Sequence, residues 1–83
     1  MAFVQRIASI SEIPAGRKHV LVTVGDKNQL SRQGENLIVT VDRTMPDNLF
    51  EARVETAISD AEQLADQEHV DTVFVCMQSP GNE

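Results

Sequence analysis

The sequence predicts an α+β domain: a four-stranded antiparallel or mixed sheet with one helix packed on one face, in the order βββαβ. Three observations carry this reading. Two β-branched runs, residues 19–24 and 37–41, alternate along the chain as half-buried strands do. One segment, from about 47 to 68, repeats apolar residues at spacings of three and four. A last run, residues 70–77, is apolar on both faces, which suits a central strand.

Residues 2–10 mix Phe3, Val4, Ile7 and Ile10 with polar positions and read as the first strand. Pro14 and Gly16, followed by Arg17 and Lys18, make a turn. In the second strand Val20, Val22 and Val24 share one face, with Leu21 and Thr23 on the other. The polar segment 26–36, which carries Gly34, reads as a long hairpin loop. The third strand sets Leu37, Val39 and Val41 against Ile38 and Thr40. The matching patterns of the second and third strands suit an antiparallel pair.

Thr44, Pro46 and Asp47 mark a helix start, with Thr44 or Asp47 as the cap and Pro46 in the first turn. Phe50, Val54, Ala57, Ile58, Ala61, Leu64 and Ala65 then form one buried stripe. Its alanines let the helix sit close to the sheet. In the last strand Phe74 and Cys76 point one way, and Val73, Val75 and Met77 the other. The domain is read as residues 1–78, with 79–83 a flexible C-terminal tail.

One helix covers one face of such a sheet. The opposite face carries Leu21, Thr23, Ile38 and Thr40. A half-apolar open face is a candidate dimer or partner surface, and assembly through it would make the chain a small homo-oligomeric structural or ligand-binding protein. Scattered surface apolar residues, which are common, account for it equally well.

The chain has 83 residues, room for one domain. Its only aromatic residues of the Phe, Trp and Tyr class are Phe3, Phe50 and Phe74, so a site that stacks bases or sugars is poorly supported. Cys76 is the single cysteine, which excludes an intramolecular disulfide and a cysteine zinc cluster and suits a reducing cytoplasm. The first six residues lack a basic-then-apolar signal pattern, and no apolar run approaches membrane-spanning length. The expected location is therefore cytoplasmic, away from membranes.

Charge is sharply divided. Through Arg43 the bases outnumber the acids; from Thr44 onward Arg53 stands alone against nine acids, and the whole chain carries −6. On the helix, Glu51, Glu55, Glu62 and Asp66 fall along one line that borders the apolar stripe. No lysine or arginine sits four residues from any of them, so no intrahelical ion pair neutralises the line. It reads either as a docking strip for a basic protein surface or as a solvated, solubilising face. In a third arrangement Arg6, Arg32 or Arg43 reaches back to pair with it. The acidic helix repels phosphate, which argues against direct nucleic-acid binding.

Catalytic signatures are missing. There is no Gly-rich phosphate loop and no Gly-x-Ser-x-Gly elbow. His19, His69 and Asp71 match no zinc spacing, and the two histidines read as independent residues at the starts of strands. Cys76 lies in the most apolar strand, where a thiol is unreactive. Glu51 and Glu55 lie on an exposed helix side with no cleft to raise either pKa. The expectation is a non-enzyme without metal or cofactor.

In size, charge and element order, with Glu51, Glu55, Glu62 and Asp66 on its one helix, the chain resembles the small phage-encoded inhibitors of host proteins, anti-CRISPR proteins among them. The resemblance covers the whole chain and rests on no shared motif. It implies a stoichiometric inhibitor, acting in the host cytoplasm, that occupies a basic surface of its partner through those four acidic residues.

Overall fold

The computed structural model describes residues 2–14 and 16–77. The proposed tail, 79–83, and the domain limit at 78 lie outside the described residues. The chain forms β1 (Phe3–Arg6), a short 3-10 turn (Ile10–Glu12), β2 (Val20–Gly25), β3 (Gln29–Gln33), β4 (Asn36–Asp42), α1 (Asp47–Gln67) and β5 (Thr72–Val75). The strands make one five-stranded mixed sheet in the order β1-β5-β2-β4-β3.

Strand faces fall as the alternation dictates. Val20, Val22, Leu37, Val39, Val41, Val73 and Val75 pack under α1, against fully buried Ala57, Ala61 and Ala65. Phe50, Val54, Ile58 and Leu64 flank those alanines. Small side chains along the centre of the stripe bring the helix close to the β-branched surface, where close packing gives the dispersion and burial energy of the core. β5 is apolar on both faces because it lies between β1 and β2.

Two expectations about the sheet are corrected. The sheet has five strands, because the segment read as a long loop contains β3. It pairs antiparallel with β4 through a two-residue turn, in which Gly34 supplies the positive φ (63°) that tight hairpin turns require. Furthermore, β2 and β4 run parallel, with Val20 opposite Leu37 and Val24 opposite Val41. Matched alternation sets which face each strand presents, not its direction. β3 provides the reversal, returning along the far side of β4.

The parallel pairing also changes the face opposite α1. β1, β5, β2 and β4 are parallel neighbours, and since β3 carries the chain from β2 back to β4 at the sheet edge, the two links left to cross over the sheet are β1–β2 and β4–β5. The β4–β5 link crosses as α1. The β1–β2 link, residues 7–19, crosses on the other side, where Ile7 and Ile13 pack on Leu21, Ile38, Phe74 and Cys76. That link carries a capping box: the Ser9 hydroxyl accepts from Ser11 N–H, and the Glu12 carboxylate accepts from Ser9 N–H.

At the start of α1 the expected side-chain cap does not form. Pro46 occupies the cap position without a side-chain hydrogen bond. Thr44 instead donates from its N–H (2.8 Å) and its hydroxyl (2.6 Å) to Asp42 Oδ1. The helix ends in a Schellman motif: Val70 N–H donates to Ala65 O at 2.8 Å, and His69 N–H to Asp66 O at 3.3 Å. His69 takes the left-handed position with φ 60°. No helix among the described residues is long and apolar enough to cross a membrane.

Candidate functional site

The acidic line on α1 lies where helical periodicity puts it. Glu51, Glu55 and Asp66 are exposed, and Glu62 is half-buried where the line borders the stripe. No basic side chain among the described residues lies within ion-pair distance of Glu51, Glu55 or Glu62. Two of the three candidate arginines turn to other carboxylates: Arg32 Nη2 lies 3.3 Å from Glu68 Oε2, and Arg43 Nη2 lies 3.9 Å from Asp26 Oδ1.

Three of the ion pairs among the described residues gather around the C-terminal end of α1 and the start of β5. Glu68, just past α1, meets Lys18 (4.0 Å) from the β1–β2 link and Arg32 (3.3 Å) from β3. Lys18 also donates to the Glu68 carbonyl at 3.1 Å, placing a cation on the negative end of the helix dipole. Arg17 pairs with Asp71 at 3.3 Å. The Asp71 carboxylate also accepts from the Thr72 hydroxyl at 3.0 Å. That bond, followed by Arg17, holds the Asp71 pKa below its ordinary value. Glu68 went unnoticed in the sequence because its partners are 50 and 36 residues away.

His19, His69 and Asp71 do not form a shared site. His19 Nδ1 donates to the Arg17 carbonyl at 2.7 Å, and its ring meets Phe74 edge-on at a centroid distance of 5.4 Å. His69 is exposed at the helix terminus. No group of three or more metal-ligating side chains occurs among the described residues. Cys76 is buried in the core.

Leu21, Thr23, Ile38 and Thr40 share a face, as the alternation requires, but the face is not open over the first two. Leu21 is 5% exposed and Thr23 9%; Ile38 and Thr40 are half-buried. An antiparallel reading offered no crossover to cover them, whereas the parallel sheet supplies one. What remains there is a depression of about 290 Å³ beside the link, lined by Ile10, Ile13, Arg17, His19 and Ile38 among others.

Comparison with protein-family models, with curated proteins and with solved structures returned no match to the chain.

Proposed function

We propose that the chain is a non-catalytic binding protein, a stoichiometric inhibitor that docks the acidic flank of α1 on a basic surface of another protein. The observation that supports this reading is the row Glu51, Glu55 and Glu62, displayed on a rigid helix without ion partners among the described residues. Like charges four apart on a helix cost a few tenths of a kcal/mol per pair. Glu51 with Glu55 incurs that cost, and neither carboxylate has an ion partner among the described residues to return it. A basic partner surface offsets it on binding. Interfacial charge of one sign also steers encounter and excludes partners of like charge. The small phage-encoded inhibitors, anti-CRISPR proteins included, are the class this reading fits, and the host cytoplasm is the compartment.

The test is joint reversal: Glu51→Lys, Glu55→Lys, Glu62→Lys and Asp66→Lys. Partners retained by the wild-type chain from host lysate, identified by mass spectrometry, are expected to be lost. Unchanged retention by a variant whose circular dichroism is native excludes the acidic strip as the contact surface.

A further inference from the structure

The opposite flank of α1 carries a pattern of its own. Leu49, Arg53, Asp60 and Leu64 lie at spacings of four, seven and four. At about 100° per residue they fall within about 60° of arc, roughly 160° round the helix from the acidic strip. The order apolar, basic, acidic, apolar is symmetric in hydrophobicity and opposite in charge about a point between Thr56 and Ala57.

Two further features lie on this flank. Leu49 is 51% exposed, a large apolar side chain without a place in the core. The second is a depression of about 240 Å³ lined by Leu30, Val39, Arg53, Asp60 and Leu64 among others. Leu30 of β3 faces into it and is 57% exposed. Arg53 Nε donates to Asn28 Oδ1 at 3.3 Å, which holds the guanidinium on this side. Neither Arg53 nor Asp60 has an ion partner among the described residues.

We infer that this flank is an isologous interface whose occupant is a second copy of the chain. A two-fold axis at the centre of the pattern, with the helices antiparallel, brings Arg53 opposite Asp60 of the other copy, and Asp60 opposite its Arg53. The same operation sets Leu49 of each copy against Leu64 of the other, over the depression beside Leu30. Arg53 and Asp60 of each copy then meet their complements, and the exposed Leu49 of each copy is covered. The acidic strips point away from the axis on both copies. The inference is independent of any role for those strips.

Sedimentation equilibrium across a concentration series tests it, with circular dichroism to verify folding. The wild type is expected to approach twice its 9.2 kDa mass. Arg53→Asp alone and Asp60→Arg alone each place like charges across the axis, and each is expected to weaken dimerisation by about tenfold or more. The double variant Arg53→Asp with Asp60→Arg is expected to recover dimerisation, and an equimolar mixture of the two single variants to form a heterodimer. A wild type that stays monomeric to about 1 mM overturns the inference. So does a dimer indifferent to the single reversals, or one dissociated only by Leu21→Glu with Ile38→Glu on the sheet face.

Discussion

Lys18 Nζ donates to the backbone carbonyl of Glu68 at 3.1 Å and lies 4.0 Å from that residue's carboxylate. With Arg32 on the same carboxylate, one residue past the helix joins the β1–β2 link, the β3 edge and α1. Glu68→Ala is expected to lower stability by about 1 kcal/mol, since partly exposed pairs contribute up to that each. Urea unfolding at low and high salt checks it. The loss should shrink as salt rises, because both pairs are open to screening.

His69 holds a left-handed backbone conformation at the closing position of α1. For a side chain with a Cβ this conformation costs roughly 1 kcal/mol relative to glycine. His69→Gly should therefore raise stability by up to about 1 kcal/mol, read as an upward shift of the thermal midpoint. The Schellman hydrogen bonds use only backbone atoms and remain in the variant.

Gly25 ends β2 where the neighbouring strand passes close. A Cβ placed there would lie 2.7 Å from Thr40 Cγ2, and that methyl belongs to a short, branched side chain inside a strand. Gly25→Ala should destabilise by about 1–3 kcal/mol, the usual range for overpacking. Combining it with Thr40→Ser removes the obstructing methyl and should recover part of the loss in chemical denaturation.

Two carboxylates held below their ordinary pKa contribute to the acid limb of the stability profile. Asp42 is lowered by hydrogen bonds from the Thr44 hydroxyl and then the Thr44 N–H; Asp71 by the Thr72 hydroxyl and then Arg17. For a carboxyl depressed on folding, the stabilisation is complete above its unfolded pKa, about 3.9. It disappears as pH falls through the folded value, because the unfolded chain binds the proton first. Stability is therefore expected to fall below pH ~4, and Asp42→Asn with Asp71→Asn should flatten that limb. Denaturation curves between neutral and acid pH give the comparison.

The faces of the strands and the buried side of α1 were legible because burial has a period. Val20, Val39, Val73 and Ala61 could be assigned to the core from spacing alone. β3 was not legible: its residues Gln29–Gln33 are exposed apart from half-buried Ser31, so an edge strand of this kind leaves no hydrophobic signature. Strand direction was hidden for a related reason, since alternation is identical in parallel and antiparallel pairs. The covered sheet face followed from that direction and was lost with it. Ser9 and Glu12, three apart, were a readable capping signal that would have shortened the first strand. The acidic strip was legible as a line. That Glu51, Glu55 and Glu62 lack ion partners among the described residues depends on where Arg32 and Arg43 point, which only the tertiary structure fixes.

The claim at the centre of this account is that the acidic flank of α1 is kept for binding at a cost to the helix. Neutralising it with Glu51→Gln, Glu55→Gln and Glu62→Gln separates the two effects in one protein. Thermal unfolding and retention of the partners captured by the wild-type chain are measured on the same preparation. The account predicts a small rise in the melting temperature, from relief of like-charge repulsion, together with a marked loss of partner retention. A variant that is more stable and still retains its partners would show that the row serves solubility alone.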